Sequence, residues 1–308
     1  MEAIAIEHLT KRYGERRGIE DVTLAVDTGS LFGFIGPNGA GKTTTIRILL
    51  GLIAPTSGTA RLFGIDAVGD GARARAEVGY VAGEISLYPD LRVDALLAFV
   101  GGFHDGDHGG RRAELARVLD LDLGAPAADL SLGNKKKVAI VAALQHAPKL
   151  VVLDEPTSGL DPVIKARLFD VLRDAVAGGA TVFFSSHALA EVEAVCRRVA
   201  IVNAGRLVAV DDIAAIRRRA MRRVFATFGE GGDGNALAGL ARTLPGVHDF
   251  ERHGDAIAFL YRGAVPPLLD ALAAAAPSDV RIEEASLEDI FLHDFASAGG
   301  LNGGRGVA

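Results

Sequence analysis

Short apolar runs alternate with stretches of helical periodicity from the N-terminus to about residue 210. VTLAV (residues 22–26) and LFGFIG (31–36) read as strands, separated by a turn at Asp27, Thr28 and Gly29. KTTTIRILLGLI, which starts at Lys42, then reads as a helix. LVVLDEP, from Leu150, and TVFFSSH, from Thr181, are apolar at consecutive positions, as strands buried on both faces are. A helical pattern follows each of them. VIKARLFDVLRDAVAGG, from Val163, ends at a glycine pair that serves as a helix stop. HDGDHGG (104–110) reads as a loop between helices. Strands alternating with helices predict an α/β domain with a mostly parallel sheet.

The pattern changes near residue 211. DDIAAIRRRAMRR predicts a basic helix that leads into a strand, VFATF. GEGGDG (229–234) reads as a turn or loop, followed by a helix around 236–244. Strands are expected on either side of His253, Gly254 and Asp255. A helix is expected after Pro266 and Pro267, then a strand at 280–283. SLEDIFLHDF has Ser286 as a helix cap with Asp289 three residues on. The expected division is a domain over 1–215, a small α+β domain over 216–296 and a disordered glycine-rich tail over 297–308.

A length of 308 residues suits two domains, and 49% hydrophobic residues suffice for a large core. The formal net charge of −6 argues against non-specific nucleic-acid binding. The single cysteine, Cys196, cannot form an intramolecular disulfide and reads as a buried, inert thiol in a reducing compartment. The N-terminus carries an acid where a secretion signal carries bases. No apolar run approaches the ~18 residues that span a bilayer. The expectation is a soluble chain that reaches a membrane only through a partner.

The chemistry concentrates in two places. GPNGAGKT fits G-x-x-x-x-G-K-[ST], directly after a predicted strand and before a predicted helix. Gly36, Gly39 and Gly41, with Pro37, Asn38 and Ala40 between them, let backbone amides point at phosphate oxygens. Lys42 brings charge to the β- and γ-phosphates, Thr43 a hydroxyl for Mg²⁺, and Thr44 a reach to the α-phosphate. The second place is LVVLDEPTSGLD, where Asp154 ends a buried strand as a magnesium carboxylate would. Glu155 follows and is placed to polarise an attacking water. A cation between them explains how adjacent carboxylates are tolerated.

Together with four further elements, these motifs resemble the ATP-binding cassette family, the nucleotide-binding subunits of ABC transporters. The likeness covers roughly residues 3–215. It implies a P-loop NTPase domain with a mostly parallel sheet, an antiparallel β-subdomain and a helical subdomain. It implies that Tyr13 in KRYG stacks on adenine, and that SGLD (158–161), ending at Asp161, is the D-loop beside the nucleotide. His187, at the end of SSH, matches the switch histidine, and Lys42, Glu155 and His187 form the implied catalytic set. LSLGNKKK lies where that family has its L-S-G-G-Q signature. In the family two cassettes pair head to tail, and the signature covers the partner's ATP. Ser131 and Gly133 are therefore expected to contact ATP in trans.

Two positions depart from the family pattern. Leu132 replaces the first signature glycine and is expected to point away from the phosphate. Gly83 stands where the family usually has a glutamine that senses metal and water, and Glu84 is expected to carry part of that role. Lys135, Lys136 and Lys137 fan over about 200° of a helix, so at least two are expected to be solvated. Arg217, Arg218, Arg219, Arg222 and Arg223 read as a solvated basic face, or one that meets anionic lipid or an acidic permease loop. ASLEDIFLHDF resembles the end of the small C-terminal domain on some bacterial drug- and antibiotic-export ATPases. Phe291, Leu292 and Phe295 are expected to pack that helix on its own domain or on a partner subunit.

The expected function is thus ATP binding and hydrolysis for a bacterial exporter, with ATP and Mg²⁺ as cofactors. The expected partners are an integral-membrane permease and a second ATPase subunit, identical or related, at the cytoplasmic face of the membrane. No nucleic-acid partner is expected. Two other readings stay open: a soluble cassette ATPase acting on ribosomes or DNA, and an ATP-sensing regulatory subunit with weak hydrolysis.

Overall fold

The computed structural model describes residues 1–218, 221–228 and 244–284. The chain divides into two compact units, Met1–Ile213 and Ala214–Ala308.

The first unit opens with a long antiparallel hairpin, β1 (Glu2–Tyr13) and β2 (Arg16–Asp27). Along β2, Val22, Leu24 and Val26 are buried at every second position, the period of a half-covered sheet. β3 (Leu31–Ile35) follows, then α1 (Lys42–Leu49), β4 (Ser57–Leu62), β5 (Ile65–Asp66), α2 (Gly71–Arg75) and β6 (Val78–Val81). Helix α1 is shorter than the apolar pattern suggested. Gly51 takes a φ of 61°, a left-handed turn that stops the helix before Ile53.

Three helices come next: α3 (Val93–Gly101), α4 (Gly109–Val118) and α5 (Leu132–Leu144). The unit closes with β7 (Leu150–Asp154), α6 (Pro162–Ala177), β8 (Thr181–Ser186), α7 (Leu189–Val195), β9 (Arg198–Asn203) and β10 (Arg206–Asp212). Asp161 caps α6 by accepting from the Val163 and Ile164 amides, and Pro162 supplies a pre-set first turn. Cys196 lies just beyond α7, where burial pushes its thiol pKa up.

Two sheets result. One runs β2-β1-β4-β5; the other runs β10-β9-β3-β8-β7-β6. In the second, β3, β6, β7, β8 and β9 are parallel, and β10 is an antiparallel edge. Every residue of β3, β7 and β8 is buried, as the uninterrupted apolar runs require. Phe32, Phe34 and Phe183 pack in this sheet against Ile46, Ile48 and Leu49 of α1. Because β3, β7 and β8 share a direction, the segments after them open at one edge of the sheet. There the register sets Asp154 opposite Ser185 and Ile35 opposite Ser186.

Near the end of α5, Gln145 is buried and donates to the Leu97 carbonyl of α3 at 3.0 Å. The next residue, His146, stacks on His104 with ring centroids 3.6 Å apart, and His108 lies 6.4 Å from each. Burial, then the neighbouring His104 and His108, push the His146 pKa from 6.5 down to about 4. The unfolded chain therefore binds more protons than the folded one between those values, and stability falls as pH drops through that window. The expected result is a melting temperature that declines from pH 6.5 toward pH 4. His146→Phe, which keeps a stacking ring, should flatten that decline.

The second unit is a separate antiparallel sheet with its own small core. After α8 (Ile213–Arg218) come β11 (Arg222–Thr227), β12 (Val247–His253), β13 (Ala256–Tyr261), α9 (Val265–Ala275) and β14 (Asp279–Glu284), in sheet order β12-β13-β11-β14. Val224, Ala226, Ile257, Phe259 and Tyr261 pack with Leu268 and Leu272 of α9. Among the described residues, the basic helix expected over DDIAAIRRRAMRR is α8. Asp211 and Asp212 end β10, and Arg222 and Arg223 begin β11. The burial of Val224 and Ala226 at alternate positions is the strand period expected for VFATF. Arg222 and Arg223 thus lie on a strand and not on the expected basic helix. Arg219, the loop at 229–234, the helix around 236–244 apart from Leu244, the Ser286-capped helix with Phe291, Leu292 and Phe295, and the tail lie outside the described residues. Among the described residues, no helix is long and apolar enough to cross a membrane.

Candidate functional site

The loop after β3 turns into α1 through Gly41, whose φ of 105° is costly for any residue with a side chain. A Cβ there would also lie 2.5 Å from Ile19 Cγ2. Lys42 is buried, and its Nζ donates to the carbonyls of Gly36 at 2.7 Å and Pro37 at 3.3 Å. Those bonds tie the end of the loop back to its start. A cleft of about 440 Å³ is lined by Tyr13, Arg16, Gly18, loop residues 38–44 and Glu155. Tyr13 stands at the rim, half exposed, with Lys11 Nζ 5.4 Å from its ring centroid. Gly18 lies under the ring: a Cβ there would come within 2.9 Å of Tyr13 Cε2.

The carboxylates of β7 meet this loop. Thr43 Oγ1 donates to Asp154 Oδ2 at 2.8 Å, and Ser185 Oγ donates to Asp154 Oδ1 at 2.8 Å. Glu155 has a φ of 50°, a left-handed conformation that costs roughly 1–3 kcal/mol for such a residue. Its amide donates to the Ser185 carbonyl at 3.2 Å, which holds the strained turn. The turn aims the Glu155 carboxylate back at the loop. One oxygen lies 3.1 Å from Lys42 Nζ, and the other accepts from His187 Nδ1 at 2.7 Å. Lys42, Thr43, Asp154, Glu155 and His187 therefore form one connected cluster. The Thr43 hydroxyl and Asp154 carboxylate are hard oxygen donors already in contact, the set that Mg²⁺ takes while it keeps waters and phosphates as its other ligands.

Ser131, Gly133 and Asp161 do not line that cleft. Ser131 is exposed and caps α5, its Oγ accepting from the Asn134 amide at 3.3 Å. Its O–H proton stays available to an anion. Leu132 is 62% exposed and turned toward the D-loop, where a Cβ added at Gly159 would lie 3.4 Å from its Cδ2. Gly133 lies against the same glycine: a Cβ on it would come within 2.8 Å of the Gly159 carbonyl oxygen. The Asp161 carboxylate is committed to its helix cap, and the two amide bonds hold its pKa below the usual range, that from Ile164 contributing most.

The lysines overturn the solvated reading. Lys136 is 1% and Lys137 8% exposed. Lys136 Nζ donates to the carbonyls of Ala82 at 3.2 Å and Gly83 at 3.0 Å; Lys137 Nζ donates to that of Asp120 at 2.9 Å. Long stems cross apolar surface, and each ammonium ends on backbone oxygens. Burial pushes the Lys136 pKa down, against the opposing pull of the Asp154 and Glu155 carboxylates. Glu84 is exposed, so the buried grip on this segment comes from Lys136.

Ser185 and Glu191 also escaped the sequence reading. Glu191 accepts from Thr157 and Ser186 hydroxyls and pairs with Lys165 at 2.8 Å, tying α7 to the turns before the D-loop and His187. Burial raises its pKa, but these three partners outweigh it and the net shift is downward. Its place as the first serine of SSH was the only visible signal for Ser185.

A parallel sheet with a lysine-bearing phosphate loop and a paired carboxylate strand at one edge defines a P-loop nucleotide-binding ATPase fold. A family model described as ABC transporter matches residues 19–158. The probable multidrug ABC transporter ATP-binding protein YbhF of Escherichia coli K12 is 36% identical over 69% of this chain, which spans only 38% of the length of YbhF. The linearmycin resistance ATP-binding protein LnrL of Bacillus subtilis 168 is 31% identical over 93% of this chain and 96% of its own length. A solved ATP-binding subunit of an ABC transporter superposes with a TM-score of 0.66 at 32% identity, covering 70% of this chain and 92% of that one. The chain belongs to the ATP-binding proteins of the ABC transporter family.

Proposed function

We propose that this chain binds and hydrolyses ATP to drive a separate membrane permease, most plausibly for export, with two such subunits closing over two nucleotides. The connected cluster of Lys42, Thr43, Asp154, Glu155 and His187 carries the reading. The names of YbhF and LnrL, tied to multidrug transport and antibiotic resistance, support an exporter at the cytoplasmic face of the membrane. Residues 1–215 form the ATPase part of this reading, and the domain from 216 stays without an assigned role.

The loop amides of residues 38–44 and the N-terminus of α1 bind the phosphates. Lys42 exchanges its loop carbonyls for β- and γ-phosphate oxygens, which releases its contact with Glu155. Thr43 and Asp154 would hold Mg²⁺, which supplies charge neutralisation at the phosphates when bound. Glu155, freed of Lys42 and steadied by His187, orients and deprotonates water. Tyr13 stacks on the base. Ser131, the Gly133 amide and the N-terminus of α5 face the γ-phosphate held by the other subunit.

Steady-state ATPase assays on the purified chain test this. Mg²⁺-dependent turnover supports it, and binding without turnover favours the regulatory reading. Tyr13→Ala should weaken ATP binding by roughly 5- to 150-fold, since base–aromatic stacking contributes about 1–3 kcal/mol. Titration of a fluorescent ATP analogue measures that loss.

A further inference from the structure

Lys136 lies where three parts of the proposed machine meet. Its ammonium bonds both the Ala82 and Gly83 carbonyls. A Cβ added at Gly83 would lie 3.4 Å from Asp154 Oδ2, so the backbone that Lys136 grips runs beside that carboxylate, about one methyl group away from contact. Oδ2 is also the oxygen that accepts from Thr43. The same helix, α5, begins just ahead of Lys136 at the Ser131 cap, with Gly133 against Gly159 of the D-loop. The first turns of one helix thus carry both the exposed signature surface and the side chain that holds residues 82 and 83 beside Asp154.

We propose that Lys136 is a positioning residue that locks the Gly83 backbone onto Asp154 and links the metal site to the signature helix. This builds on the proposed function. The structure offers its own control in Lys137, whose equally buried ammonium bonds Asp120 and does not touch residues 82–83. Lys136→Met keeps the stem and removes the donors, so it tests the grip rather than the packing.

The experiment titrates Mg²⁺ into full-length protein with a fluorescent ATP analogue and reads half-saturation at equilibrium. In Lys136→Met the half-saturating Mg²⁺ should rise about 10- to 100-fold, as for lost partners of metal ligands. Analogue binding in EDTA should change less than about twofold, because the phosphate loop is untouched. Lys137→Met should lower the melting temperature and leave the Mg²⁺ titration at the native value. Gly83→Gln has room for its Cβ at ordinary contact distance and brings a carboxamide to Asp154. Added to Lys136→Met, it should move half-saturation back toward the native value. If Lys136→Met does not fold, Lys136→Gln carries the same comparison, since its shorter, neutral amide does not extend to the position of the ammonium between the two carbonyls. A native Mg²⁺ titration in a folded Lys136 variant overturns the proposal, as does an equal shift in Lys137→Met. A native chain that binds no analogue even with Mg²⁺ overturns the function itself, and this proposal with it.

Discussion

Glu155→Gln should stop ATP turnover while leaving ATP bound. The carboxylate is held by a strained backbone turn, with φ at 50°, and by His187 at 2.7 Å. Glutamine has almost the same shape, so the turn and a hydrogen bond to His187 survive. It cannot accept a proton from water. General-base contributions run to about 10²–10⁴-fold, and kcat should fall by that factor. The phosphate loop and Lys42 are unchanged, so ATP affinity should stay within about threefold of native. Single-turnover assays separate the two quantities. A variant that turns over ATP at the native rate removes Glu155 from the chemistry.

Lys42→Ala should fail earlier, at binding. Lys42 satisfies two loop carbonyls and offsets the charge of Glu155. With ATP present it is the cation aimed at the β- and γ-phosphates. A hydrogen bond to a charged group contributes about 1.5–3 kcal/mol, so losing one predicts roughly 10- to 150-fold weaker ATP binding. Loss of a positioned donor to the transferring phosphoryl group should cost about a further 10²–10³-fold in kcat. The contrast matters more than either value. Glu155→Gln separates binding from turnover, whereas Lys42→Ala lowers both. Equilibrium titration and initial rates on the same preparations resolve it.

The parts of this site that were legible in the sequence are those carried by contiguous residues. The phosphate loop and the carboxylate strand each encode their own local structure, a strand run into a glycine turn or a carboxylate pair. Ser185 was different. Its bond to Asp154 depends on β8 lying beside β7 in parallel register, and sheet order is a non-local property. Lys136 and Lys137 misled for a related reason. A lysine is assigned to solvent by default, and nothing in KKK shows which carbonyls α5 will place above each stem. Leu132 was expected to point away from a phosphate, and its neighbour, Gly159, came only from the fold. In the second unit VFATF was read correctly as a strand, but Arg222 and Arg223 were read into the helix before it, because β11 begins ahead of the apolar run.

The central claim is that ATP is held between two chains, with Ser131 and Gly133 of one facing the phosphates bound by the other. Light scattering on Glu155→Gln protein, with and without MgATP, tests it most directly. ATP should convert the single chain to a particle of twice its mass. Adding Gly133→Asp, which forces a side chain against the Gly159 carbonyl and puts a negative charge toward the partner's γ-phosphate, should abolish the conversion. A Glu155→Gln chain that stays single at saturating MgATP, or that pairs equally well with Gly133→Asp in place, would contradict the claim.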